Sequence, residues 1–167
     1  MTSWELDDLK GLPVVSKNDA KTLGRVDEVL FNPSANALFG LVVKPEDTDS
    51  PALLVTLSAI ASIGPDAVTV ESHTAAKPFM DNVQAQEISA AGGYRTGMDV
   101  MTESGESVGK IDKVKVNEKG AVVSYHSTTG LFGSKHDIEP SEVRSGSEQM
   151  LIISNDAREG AARSVTG

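Results

Sequence analysis

Short runs of Val, Ile and Leu, each bounded by polar turn residues, recur along the whole chain, a pattern of strands rather than of long helices. In the first half they predict strands near 13–16, 24–32, 37–44, 52–56 and 67–71. In the second half they predict strands near 98–102, 109–117, 121–128, 135–139 and 150–153. The second strand of each half places apolar residues at i, i+3 and i+5: Val26, Val29, Phe31 and then Ile111, Val114, Val116. Strict alternation would give steps of two, so the step of three predicts a bulge at the same point in both halves, as a sharply coiled small barrel requires. Leu38-Phe39-Gly40-Leu41-Val42-Val43 is apolar on both faces, whereas its counterpart Val122-Val123-Ser124-Tyr125-His126 has one polar face. The second face of the first of these strands therefore needs cover, expected from the other half or the linker helix, or else from a second copy or a partner.

The halves correspond in detail. Gly24-Arg25-Val26-Asp27-Glu28-Val29 returns as Gly109-Lys110-Ile111-Asp112-Lys113-Val114. Lys10 to Ser16 lies over Thr96 to Thr102, and Val55 to Ile60 over Ile138 to Val143, so the offset drifts from 86 to 85 to 83 as loop lengths change. Two copies are too few for a solenoid, so each half must close its own core.

Turn chemistry agrees. Asn117-Glu118-Lys119-Gly120 reads as a type I hairpin turn with Gly120 at positive φ, and Asn32-Pro33-Ser34-Ala35-Asn36 as a longer turn with Asn36 in αL. Glu5 to Lys10 predicts one helical turn capped by Ser3 or Thr2, and Ser58 to Gly64 a single turn before the last strand. Residues 76–93 read as a linker, with Asp81 capping a short helix over Asn82 to Ala91. The expected organisation is a first barrel at 1–75, this linker, a second barrel at 94–155 and a mobile tail at 156–167.

Composition narrows the function classes. The chain has 167 residues, no cysteine and only seven aromatic residues (one Trp, two Tyr, four Phe), so disulfides and thiol chemistry are excluded and the cores must be aliphatic. The net charge is −9, shared between the halves: residues 1–77 carry 6 Lys+Arg against 11 Asp+Glu and residues 78–167 carry 9 against 13. That field disfavours phosphate backbones, and Lys110, Lys113, Lys115 and Lys119 are interleaved with Asp112 and Glu118, so direct nucleic-acid binding is not expected. No apolar run approaches the length of a membrane span, and the acidic N-terminus lacks the features of a signal peptide, so the expectation is a cytoplasmic protein.

Candidate chemistry is sparse. His126, His136 and Asp137 flank one loop and are the nearest approach to a metal set, short of the converging ligands that zinc needs; ordinary strand histidines are the expected reading, and no metal or cofactor is expected. Asp27 and Asp112 are equivalent positions of two copies, which points to a repeated structural role rather than a catalytic pair. No phosphate loop or nucleophile elbow appears, and the expectation is no enzyme. Two apolar features offer partner contacts: Leu38, Phe39 and Leu41 on the two-faced strand, and Leu131-Phe132 between Gly130 and Gly133 in a hairpin loop.

Lys10-Gly11-Leu12-Pro13-Val14-Val15-Ser16, then Gly24-x-Val26-x-x-Val29, then Leu38 to Val43, and finally Leu54 to Val70 resemble the PRC-barrel family over roughly residues 8–72. A weaker resemblance over about 94–154 rests on Gly109, Ile111, Val114 and Pro140, and departs from the family at Met98 and Asp99. The resemblance implies an all-β protein of two tandem PRC-type barrels joined by a short, partly helical linker. In function it implies a non-enzymatic adaptor that docks protein partners or a second copy of itself, with a stress-response role among the expectations. The alternatives are a ribosome-assembly or RNA-associated factor, and a small-ligand binder or enzyme using a pocket between the barrels. Fold alone does not decide among them.

Overall fold

In the computed structural model, residues 3–47, 49–92, 97–129, 134–147 and 149–155 are described. The protein is all-β, with a single α-helix among these residues. It divides into two compact units, the first comprising residues 1–31, 37–94 and 116–121 and the second 32–36, 95–115 and 122–167.

The first unit contains β1 (Trp4–Glu5), β2 (Pro13–Ser16), β3 (Lys21–Asn32), β4 (Ala37–Lys44), β5 (Leu53–Thr56), β6 (Ile60–Ile63), β7 (Val68–Val70), β8 (Lys77–Pro78) and α1 (Val83–Ala90). Its sheet runs β6-β7-β2-β3-β4-β5-β8 and curls into a half-barrel. β2 and β7 pair in parallel, closing the chain's return, while β2–β3, β4–β5 and β6–β7 are antiparallel. Val14, Val29, Leu41, Val43, Val55 and Val68 are wholly buried inside it, together with Leu6 and Leu9 of a 3-10 turn. That turn spans Leu6–Leu9 and starts at Glu5 with no side-chain cap, in place of the Ser3 or Thr2 cap expected from sequence.

Two glycines permit the curl. Gly24 has φ +152°, and a Cβ there would strike the Lys44 carbonyl and lie 2.9 Å from Pro45 Cα; at Gly40 a Cβ would lie 2.6 Å from the Val55 carbonyl oxygen. Neighbouring backbones thus approach more closely than any side chain allows. The residue before Gly24 is the bulge: Val14 faces Gly24 and Val15 faces Thr22, leaving Leu23 as the extra residue.

The second unit's sheet strands are β9 (Asp99–Thr102), β10 (Ser107–Val116), β11 (Val122–Thr129), β12 (Ser134–Ile138), β13 (Val143–Gly146) and β14 (Met150–Ile153), in the order β12-β11-β10-β9-β14-β13. Val100, Val108, Val114, Tyr125 and Leu151 are wholly buried. Its register repeats that of the first sheet. The parallel pair Val14–Val68 has its counterpart in Val100–Leu151. Val108 is the extra residue of β10, as Leu23 is of β3. The break between Ile60 and Ser62 recurs between Val143 and Ser145. The Gly11 amide donates to the Val26 carbonyl at 2.8 Å, and the Gly97 amide to the Ile111 carbonyl at 2.6 Å.

These bulges are paired as the apolar spacing predicts, but they sit earlier in the strand than the 26–29 and 111–114 steps. β6 was expected as a helical turn; only Leu57–Ala59 form that turn, and Ile60 to Ile63 pair with β7. The described part of the expected linker carries two elements: β8 adds to β5, with Leu53 opposite Pro78 and Leu54 opposite Lys77, and α1 packs on the sheet. The tail at 156–167 lies outside the described residues.

Both predicted hairpin turns form. In the first unit, Gly120 (φ +84°) closes the 117–120 turn by donating its amide to the Asn117 carbonyl at 3.0 Å. There the Glu118 carbonyl accepts from the Ile63 amide at 2.8 Å, and Lys119 Nζ donates to the Ala61 carbonyl at 2.9 Å, so this turn caps the β6 edge. In the second unit, Asn36 (φ +53°) accepts at Oδ1 from the buried Tyr125 hydroxyl at 2.6 Å and donates through Nδ2 to the Pro140 carbonyl at 3.4 Å.

Candidate functional site

β4 is apolar on both faces, and the first unit covers the second face with its own helix. Leu30, Val42, Leu54 and Ala85 form a buried cluster, with Phe39, Ala52, Phe79 and Ile88 packed against it. The helix is held there by polar contacts at both ends. Asn82, not Asp81, is the N-cap: its Oδ1 accepts from the Ala85 amide at 2.8 Å. Gln86 Nε2 donates to the Met80 carbonyl at 2.8 Å, and Ser89 Oγ donates to Glu28 Oε2 at 2.9 Å. Of the covers expected for this face, the linker helix is the one found. Leu38 is 2% exposed and Leu41 fully buried, and Phe39 is half-buried against the helix cluster. Leu131 and Phe132 lie outside the described residues.

What the helix segment leaves at the surface is an apolar pair that the sequence reading did not single out. Met80 and Val83 are each 69% exposed, the large hydrophobic side chains most open to solvent among the described residues. They occupy the 3-10 turn Phe79–Asp81 and the first position of α1, while Ala85 and Ile88 point the helix's apolar contacts toward the sheet. A sequence signal existed: Val83 breaks the polar run that otherwise surrounds the cap.

The titratable groups make local ties rather than a converging centre. Asp19 Oδ2 accepts from the His73 backbone amide at 2.9 Å and lies 2.8 Å from His73 Nδ1, which holds its carboxyl below the usual range, the amide bond first and the imidazole second. The corresponding loop of the second unit uses a neutral tie, Ser104 Oγ donating to Asn155 Oδ1 at 3.0 Å. Asp112 Oδ1 bonds His126 Nδ1 at 2.5 Å, a tie between neighbouring strands. Register sets His126 opposite Asp137 and His136 opposite Ser127. Among the described residues no three His, Asp or Glu side chains gather as a metal site. Burial pushes the Tyr125 hydroxyl far above its ordinary value of 10.0.

Asp27, the sequence counterpart of Asp112, lines a shallow groove of about 260 Å³ together with Arg25, Val26, Lys44, Pro45 and Glu46. Arg25 is committed elsewhere, donating to the Gly11 carbonyl at 3.0 Å. The groove forms where β3 passes the end of β4 at Gly24, so the close backbone approach accounts for it.

The half-barrel order, the parallel return of β7 onto β2 and the glycine-dependent crossing all fall within one family's boundaries. Residues 1–77 match the PRC-barrel domain. The PRC-barrel match ends at the first residue of β8, so α1, Met80 and Val83 lie beyond it. No curated protein matches the chain. No helix among the described residues is long and apolar enough to cross a membrane.

Proposed function

We propose that this chain is a non-enzymatic cytoplasmic adaptor that docks protein partners, built from a PRC-barrel domain and a divergent second copy of it. The duplication is supported by the shared strand register, the paired bulges at Leu23 and Val108 and at Ala61 and Arg144, and the paired Gly11 and Gly97 amide bonds. The docking role is carried by one observation: Met80 and Val83 stand exposed on a segment otherwise pinned to the sheet by Ala85, Phe79 and Ile88. A pair of solvated apolar side chains on a rigid support contributes nothing to the fold that holds it and is ready to be desolvated by a partner. A stress-response role is part of the same proposal.

Affinity capture of the tagged protein from its own cells, with and without nuclease, followed by mass spectrometry, tests the reading. A stoichiometric protein that survives nuclease is the expected result. Ribosomal proteins that vanish with nuclease would replace it with a ribosome-assembly role, which the charge of −9 disfavours for direct RNA contact.

A further inference from the structure

We propose that the outer edge of β12 is a strand-addition site for an extended segment of a partner protein carrying Lys or Arg, one intervening residue, and then Asp or Glu. The inference rests on the docking reading above only in supposing a protein partner. The first unit provides the template. β5 and β12 are register equivalents, since Leu41–Val55 and Val42–Leu54 correspond to Tyr125–Ile138 and His126–Asp137. β5 does not end its sheet: β8 runs antiparallel along its far side, with Leu54 opposite Lys77, and the Phe79 amide donates to the Ala52 carbonyl at 3.0 Å. Residues 52 and 54 therefore turn their backbone groups outward, and the corresponding residues of β12 are Lys135 and Asp137. Among the described residues β12 pairs with β11 alone, at the end of its sheet. Such an edge presents unpaired amides and carbonyls to an incoming strand. Its register positions set the partner's chemistry. Asp137 is exposed, so a cation belongs opposite it; in an antiparallel strand the residue two further on falls opposite Lys135 and must be an anion.

The test is titration of the purified full chain with a peptide of about ten alternating Thr and Val residues containing a central Lys-Val-Glu, followed by amide NMR. The expected result is saturable binding with shifts centred on 134–138, abolished when the peptide's alternate amides are N-methylated. Asp137→Lys should weaken binding about fivefold or more, because an attractive cross-strand pair becomes repulsive. The double variant Lys135→Glu/Asp137→Lys should bind the reversed Glu-Val-Lys peptide instead. Absence of binding, indifference to N-methylation, or equal binding of both peptides by both proteins would overturn the proposal. So would a dimer of the chain, seen by sedimentation, that Asp137→Pro dissociates. The assay does not involve Met80 or Val83, so its failure leaves the docking reading standing, and a failed capture experiment leaves this result unaffected.

Discussion

The outer faces of the two sheets solve the same geometry with opposite chemistry. Leu30, Val42 and Leu54 of the first sheet correspond to Lys115, His126 and Asp137 of the second. The apolar triad is buried under α1, whereas Lys115 and Asp137 are exposed and His126 is tied to Asp112. An apolar face must be covered, and the segment following the first sheet supplies the cover; a polar face needs none. The helix is thus dictated by a few positions on β3, β4 and β5. By covering them it brings Met80 and Val83 to the surface.

Exchanging residues between the faces should break this asymmetry most visibly. Leu54→Asp buries an unpaired carboxylate beneath α1 and should destabilise by about 4 kcal/mol, with loss of the helix signal. The reciprocal Asp137→Leu acts on an exposed position and should stay within about 0.5 kcal/mol. Urea unfolding of both variants checks the pair, and equal costs would contradict the difference in cover.

The interior positions offer a second comparison. Val43 and Ser127 are equivalent and both wholly buried, yet Ser127 Oγ has no hydrogen-bond partner among the described residues. Ser127→Val should therefore stabilise by about 1 kcal/mol, while Val43→Ser should cost at least that much. Beside it, Tyr125 takes the place of Leu41 and brings a pH dependence. Its folded-state pKa is raised by burial, so its contribution is complete below the ordinary value of 10.0 and is lost as pH rises above it. Tyr125→Phe should flatten the alkaline limb of the stability profile, measured by thermal melts across pH, while sacrificing the bond to Asn36.

Much of this was readable from residue spacing. Aliphatic runs between turn residues placed ten strands to within a few positions, and the repeated Gly-x-Val and Gly-x-Ile segments exposed the shared register. β6 was missed because Ser58 and Gly64 bracket it like a helical turn; β13 was missed because Val143 is its one large apolar residue and its pairing with β14 is a matter of backbone. β8 is two residues long, one of them proline, and leaves no periodic trace. The two-faced strand carrying Leu38, Phe39 and Leu41 demands cover, which periodicity leaves open between the linker helix, the other half and a partner; α1 supplies it over Val42 and Phe39. The Asp112–His126 bond joins neighbouring strands, and no local motif encodes it.

Smaller effects refine the contrast. Asn82→Ala removes the α1 cap and should cost about 1 kcal/mol, with faster amide exchange at Ala85. The two loop ties should differ in acid. Asp19, its pKa lowered chiefly by the His73 amide, contributes above its ordinary carboxylate value of 3.8 and loses that contribution as pH falls through the lowered one. The protection of the His73 amide relative to its intrinsic exchange rate should therefore fall in acid, and Asp19→Asn should remove most of that dependence. The Ser104–Asn155 tie, being neutral, should respond little.

In the proposed function, the α1 segment covers the sheet with one side and docks a partner with the other. Capture with the double variant Met80→Ser/Val83→Ser, its fold verified by an unchanged melt, tests it most directly. The nuclease-resistant partner should be lost while stability is preserved; retention of that partner at the wild-type level would rule out the docking role of Met80 and Val83.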